Sequence, residues 1–316
     1  MNQEVAGNKE HKAGFVGIIG RPNAGKSTLF NRLLGQKLSI ITHKAQTTRH
    51  RIPGFYSDED SQIVFIDTPG IIQPSYLLQE KMMDQVIRLR RDADLLLHLV
   101  DGRRPPESDD VVWETLAALG LPVMLVVNKI DLLEGGGVAE PPGNKADNPV
   151  PGSEEAALSA CSKHFNYVDA VAISAMNGFG VGDLLKKIKD RLPEGPAFYP
   201  KEQASDLSMR FFVSELIREQ LFLLYDKEVP YSCAVNIVAF AEEENIDRID
   251  AEIVVSRSSQ KGILIGKKGT MLKELGTRSR KEIEHFTGKK AFLKLFVKVR
   301  EKWRDKESFL KSYGYR

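Results

Sequence analysis

Residues Gly20, Arg21, Pro22, Asn23, Ala24, Gly25, Lys26 and Ser27 fit the pattern G-x-x-x-x-G-K-S/T, and no other stretch limits the fold as tightly. The apolar run Phe15 to Ile19 precedes them, and Thr28 to Leu34 follows with helical spacing. The pattern predicts a buried strand, a tight loop and a helix that Gly35 terminates. Glycines at 20 and 25 let the backbone fold round a polyphosphate, and the amides at the helix start point at it. Lys26 reaches the β- and γ-phosphates, and Ser27, with Thr28 beside it, offers a hydroxyl to Mg²⁺. A plain glycine-rich turn would not need this frame, so the chain is expected to bind a nucleoside triphosphate.

Later motifs specify the nucleotide. The polar segment Ile40 to His50 lies where a threonine would approach the γ-phosphate and complete the Mg²⁺ shell; Thr48 is the first choice and Thr47 the second. A buried strand over Gln62 to Ile66 ends in Asp67, Thr68, Pro69 and Gly70. Asp67 can hold Mg²⁺ through water, and the Gly70 amide can bond the γ-phosphate, so Lys26, Thr48, Asp67 and Gly70 form the expected catalytic set. Ile71 stands where many GTPases place a glutamine that orients water, which predicts slow intrinsic hydrolysis. Asn23 is a candidate ligand for a monovalent cation such as K⁺.

Two further apolar runs, Leu95 to Val100 and Val123 to Val127, alternate with a predicted helix over Leu77 to Arg91. Such runs imply an α/β fold, a mostly parallel sheet between helices, with His98 as a core histidine. After the second run come Asn128, Lys129, Ile130 and Asp131. The Asp131 carboxylate matches the adjacent N1–H and N2–H₂ donors of guanine, which adenine lacks. Asn128 can brace the loop, the Lys129 stem can cover the base, and the Ala175 amide between Ser174 and Met176 can meet the guanine oxygen. The ordered set selects GTP and GDP.

At 316 residues the chain is expected to hold two domains. Residues 1–13 read as a polar tail, 14–192 as the nucleotide domain, 193–205 as a proline-rich linker and 206–316 as a second domain. Residues 134–153 read as a Gly/Pro-rich surface insertion. No apolar run nears the roughly 20 residues of a membrane span and no signal segment is seen, so a cytoplasmic protein is expected. Cys161 and Cys233 match no metal or redox spacing and read as reduced core thiols.

The second domain reads helix, strand, strand, helix, helix, strand: a smaller α/β unit with one sheet face covered. From Arg257 onward there are 18 Lys and Arg against 6 Asp and Glu, while the rest of the chain holds 27 against 37. This asymmetry marks one end for a polyanion. Gly266, Lys267, Lys268 and Gly269 form a G-x-x-G turn between helices, which lets a sugar-phosphate chain approach the backbone. Ile253, Ile263, Ile265, Leu272 and Lys273 are expected to line the groove beside it, with single-stranded RNA as ligand.

Together, the residues Arg21 to Thr28, Lys44 to His50, Asp67 to Ile71, Asn128 to Asp131 and Ser259 to Gly269 closely resemble the Era family of bacterial ribosome-assembly GTPases. The resemblance covers about Gly14 to Arg304. It implies a P-loop GTPase domain followed by a type II KH domain that binds 16S ribosomal RNA near its 3′ end and assists 30S assembly. It also implies a cytoplasmic location with peripheral attachment to the inner membrane face, and a monomer is expected. Ala24 departs from the family's usual valine, and the family mostly lacks the insertion. A GTPase whose basic end mainly targets the membrane surface is the competing reading.

Overall fold

The computed structural model describes residues 11–107, 111–133 and 152–315. Most of the Gly/Pro-rich insertion, residues 134–151, lies outside the described residues. The chain forms two units. The first takes the chain up to Lys37, Arg51–Ile72 and Gln85–Asp206; the second takes Leu38–His50, Gln73–Asp84 and Leu207–Arg316. The second unit thus claims two segments that a linear reading leaves in the nucleotide domain.

In chain order the elements begin β1 (Lys12–Ile19), α1 (Lys26–Leu34), β2 (Ile52–Ser57), β3 (Ser61–Asp67) and α2 (Leu77–Ile87). They continue with α3 (Leu89–Asp92), β4 (Leu95–Asp101), α4 (Val111–Leu119), β5 (Val123–Asn128), α5 (Glu154–Cys161), β6 (Asp169–Ala172) and α6 (Val181–Arg191). The first unit's sheet has the order β2-β3-β1-β4-β5-β6, with β2 antiparallel and the other strands parallel. All seven residues of β3 and all six of β5 are buried, as expected of strands covered on both faces. His98 in β4 is a satisfied core residue: its Nδ1 lies 2.8 Å from the Tyr167 hydroxyl. Burial pulls its imidazole down to about 3. The helix expected over Leu77 to Arg91 is two helices, separated at Arg88.

Parallel pairing brings the carboxyl ends of β1, β3, β4, β5 and β6 to one rim, where open α/β sheets bind ligands. The pairs Ile18↔Asp67, Asp101↔Asn128 and Val127↔Ala172 align the motifs along that rim.

The second unit comprises α7 (Met209–Leu224), β7 (Ala234–Glu242), β8 (Ile246–Val255), α8 (Ser258–Ile265), α9 (Thr270–Thr287), β9 (Lys290–Val299) and α10 (Glu307–Ser312). Its sheet order is β7-β8-β9, antiparallel then parallel. Leu221, Cys233, Ile253, Val255, Leu264 and Leu275 make one core cluster beneath α7, α8 and α9. The other sheet face is not bare throughout. At one end Ala234 and Val254 lie under Trp303, Leu310 and Tyr315, together with Leu78 and Met82. Cys161 and Cys233 are buried free thiols, and burial pushes both up to about 12.

Candidate nucleotide site and nucleic-acid surface

Residues Gly20 to Gly25 form the loop between β1 and α1, and Lys26 and Ser27 begin the helix. Gly25, at φ 101°, is the N-cap of α1 and supplies no side-chain acceptor to the first helical turn. A Cβ at Gly25 would lie 2.3 Å from Asn128 Nδ2, and one at Gly70 2.8 Å from the Pro22 nitrogen. These contacts leave a cradle of backbone that only glycine permits. Lys26 donates to the carbonyls of Gly20 and Arg21 at 3.1 and 2.9 Å. Burial draws its ammonium down to about 8, against the attraction of Asp67.

The Ser27 hydroxyl donates to Asp67 Oδ2 at 2.7 Å, joining the first turn of α1 to the end of β3. A hydroxyl and a buried carboxylate at the mouth of a phosphate loop are hard oxygen donors of the kind Mg²⁺ takes. Thr68 is anchored through its hydroxyl to the Ile18 carbonyl. Ile71 is buried, and its amide donates to Gly20, so its side chain offers no group to orient water.

The strand ends also organise the residues expected to recognise the base. Asn128 donates from Nδ2 to the Ala24 carbonyl at 2.8 Å and accepts at Oδ1 from the Ala175 amide at 2.9 Å. It thereby clamps the phosphate loop to the Ser174 loop. The Ala175 amide was expected to face guanine; here its hydrogen goes to Asn128 instead. Lys129, in the left-handed region at φ 65°, donates to the Asn23 carbonyl at 2.7 Å and to Asp101 at 2.8 Å. Asp131 is exposed, Ser174 is buried and Met176 is exposed.

In the second unit, Gly266 at φ 71° ends α8 and Gly269 at φ 79° begins α9, with Lys268 at φ 55° between them. Lys267, Lys268 and Lys273 are exposed, and nothing stands within 4 Å of where a Gly269 Cβ would be. Ile263 is 49% exposed, whereas Ile265 and Leu272 are half-buried. Ile253 is a correction: its side chain is fully buried among Leu264 and Leu275, so it supports the turn from beneath and cannot touch a base. Alternation along β8 made it look like a groove residue, because alternation cannot say which face helices cover.

Thr47 and Thr48 belong to the second unit, in Leu38–His50. Lys44 in that segment donates to the carbonyls of Phe222 and Tyr225 and pairs with Asp226 at 2.9 Å. Arg49, 2% exposed, donates to the Cys233, Pro230 and Tyr231 carbonyls at 2.7, 3.1 and 3.1 Å. His50 stacks on Tyr315 with ring centroids 4.3 Å apart.

A family model described as "50S ribosome-binding GTPase" matches residues 15–129, and one described as "KH domain" matches residues 228–304. GTPase Era of Geobacter sp. strain M21 is 43% identical over 309 residues, covering 97% of this chain and 99% of its own. The chain belongs to the Era family of GTPases. GTPase Era of Lactobacillus delbrueckii subsp. bulgaricus is likewise 43% identical, covering 97% of each chain. Among solved structures, an Aquifex aeolicus Era variant bound to GDP·AlF₄⁻ matches with TM-score 0.86 and 36% identity over 96% of this chain and 99% of its own. Era bound to MgGDPNP and nucleotides 1506–1542 of 16S ribosomal RNA matches with the same values. As an Era-family protein the chain binds guanine nucleotides and hydrolyses GTP.

Two residues of this Era-family site carry no motif. Asp101, at the end of β4, binds Lys129 and receives Arg103 through Nε at 3.0 Å and Nη2 at 2.8 Å. Burial raises the Asp101 carboxyl, but Arg103 and Lys129 more than reverse this and hold it below the usual range. Arg32, in the last turn of α1, donates to the carbonyls of Ala175 and Met176. A carboxylate at the end of the third parallel strand was a visible signal for Asp101. Arg32 had none, since its partners lie more than 140 residues away.

Proposed function

We propose that this chain is a GTP-controlled switch that binds single-stranded 16S ribosomal RNA near its 3′ end and serves maturation of the 30S precursor. The G-x-x-G turn carries the proposal, with Gly269 open to approach, Lys267 and Lys268 exposed and Ile263 beside them. The Era structure that holds nucleotides 1506–1542 supports this choice of RNA.

In the nucleotide site, Asp131 accepts from the guanine N1–H and N2–H₂ while the Lys129 stem covers the base. The backbone from Gly20 to Gly25 and the start of α1 hold the phosphates, and Lys26 bridges the outer two. Ser27, Thr48 and Asp67 would hold Mg²⁺, which would supply neutralisation of the phosphate charge. Asn23 would hold K⁺; equal turnover in potassium and sodium buffers would sink that role. Because Ile71 cannot orient water, intrinsic hydrolysis is slow, with the water positioned by backbone groups, by another residue or by a group that a partner supplies.

The Thr48 segment is fixed to residues of α7 and of the stretch leading into β7, so its rearrangement with the γ-phosphate is felt in the RNA-binding unit. Anisotropy titration of a labelled 3′-end RNA should show tighter binding with a GTP analogue than with GDP; equal Kd values in both states refute the coupling. Exchanging Lys267 and Lys268 for alanine should weaken RNA binding and flatten its salt dependence by about one to two units of slope. The Lys and Arg excess beyond Arg257 also supports peripheral contact of a cytoplasmic monomer with anionic lipid. Among the described residues no helix is long and apolar enough to cross a membrane.

A further inference from the structure

We propose that the open face of the three-stranded sheet, along β9, is a second surface for single-stranded RNA, with Phe292 and Phe296 as stacking platforms. This rests on the RNA-binding reading above but assigns a different site. Inward-facing Leu293, Leu295 and Val297 of β9 pack against the cores beneath α7, α8 and α9. The alternate, outward positions are Lys290, Phe292, Lys294, Phe296 and Lys298, and every one is a cation or an aromatic ring.

Phe292 is 44% exposed and Phe296 51%, although the chain covers the far end of the same face with its own Trp303, Leu310 and Tyr315. Two exposed rings on one strand face, each flanked by cations, call for a partner that can use both. The chemistry around them selects the partner. The Arg248 guanidinium lies 5.7 Å from the Phe292 centroid and the Lys294 ammonium 5.4 Å from it. Lys290 and Lys294 pair with no carboxylate among the described residues. Of the acids beside this face, Glu243 pairs with Arg248 at 2.8 Å, Glu252 is neutralised by Lys298 at 2.9 Å, and Asp250 stands opposite Lys294 in the register. A protein-docking patch gathers apolar residues at its centre and keeps charge to its rim. Here cations alternate with the rings and lie over them, which suits bases stacked between phosphates.

The spacing agrees. Outward positions along a strand recur every ~6.6 Å, so the two rings stand roughly 13 Å apart with Lys294 midway. The G-x-x-G turn joins α8 and α9, which pack on the opposite face through Leu264 and Leu275. An RNA of a few nucleotides can engage one surface; a longer strand can round the β9 edge and engage both.

The test uses the full chain with two fluorescein-labelled, unstructured RNAs of mixed A, C and U, about six and about twenty nucleotides long. The Phe292→Ala/Phe296→Ala variant should weaken the long RNA by about 10- to 100-fold, the range set by loss of one to two stacked bases. It should change the short RNA by no more than about twofold, while the Lys267→Ala/Lys268→Ala variant weakens both. Phe296→Trp should fold normally and lose emission when the long RNA binds. Lys294→Glu, which leaves both rings in place, should weaken the long RNA as well. An unchanged long-RNA Kd in the Phe292→Ala/Phe296→Ala and Lys294→Glu variants, with no quenching of the new tryptophan, overturns the second surface while leaving the turn's role intact. Unchanged RNA binding with loss of a protein crosslink at Phe296 overturns it in favour of a protein occupant. Failure of the unmodified chain to bind either RNA defeats the underlying RNA reading itself.

Discussion

Asp101→Asn tests whether Lys129 depends on a carboxylate that no motif contains. The Asp101 and Lys129 side chains are 14% and 26% exposed and meet at 2.8 Å. That places the pair between an exposed ion pair, worth about 0–1 kcal/mol, and a buried one, whose breakage costs about 3–5 kcal/mol. Asparagine keeps the shape and one acceptor for Arg103 but loses the charge that holds Lys129 against the Asn23 carbonyl. We expect a loss of about 1–2 kcal/mol in guanine nucleotide binding, which is roughly a 5- to 30-fold rise in the GDP Kd, mostly through faster release. Stopped-flow release of a fluorescent GDP analogue measures it, and melting of the nucleotide-free protein checks the fold. The deciding arm is a double-mutant cycle with Lys129→Met. If Asp101 acts through Lys129, adding Asp101→Asn to that background changes little. An equal loss in both backgrounds would show that Asp101 acts on the nucleotide site by some other route.

Other outcomes follow from buried groups. Burial draws the His50 imidazole down to about 4, with Glu215 opposing and Arg218 and Arg49 assisting. The unfolded chain takes up this proton below about 6.5 and the folded one does not. Stability is therefore complete above that pH and erodes as pH falls toward 4, by on the order of 3 kcal/mol from this residue. His50→Phe should flatten that part of the pH profile in chemical denaturation; an unchanged slope would refute burial as the cause. Arg49→Ala removes one charged donor from three carbonyls, and partial rescue by water leaves an expected loss of about 2–4 kcal/mol in stability of the second unit. Hydrogen exchange should then rise around Pro230 to Cys233 first, and uniform exchange would count against a local anchor. Gly70→Ala should raise the GTP Kd more than it lowers the melting temperature, because the added Cβ meets the Pro22 backbone at the loop; an unchanged GTP Kd would refute that placement.

Residues whose chemistry is exercised near their own place in the chain were legible at once. Gly25 opens the helix it precedes, Gly35 closes it in the left-handed region, and Gly266 and Gly269 bracket their turn just as the spacing implies. The order of elements in the second domain predicted a sheet with one covered face. It did not say what lay across from Lys294, nor that Phe292 and Phe296 would stay in the open. Likewise Ile253 looked the same as a groove residue until α8 and α9 covered it.

By itself, the order of amino acids determined the two folding units' character, the guanine nucleotide and the phosphate loop, because each depends on backbone geometry and donor patterns within a few residues. Tertiary structure alone decided that Asp101 would steady Lys129, that Arg32 would hold Ala175, and that the Thr48 segment would be anchored by Arg49 in the second unit. Those partners are brought together by strand pairing and core burial across long stretches of chain, and no local period or spacing encodes where such a side chain will find its counter-group.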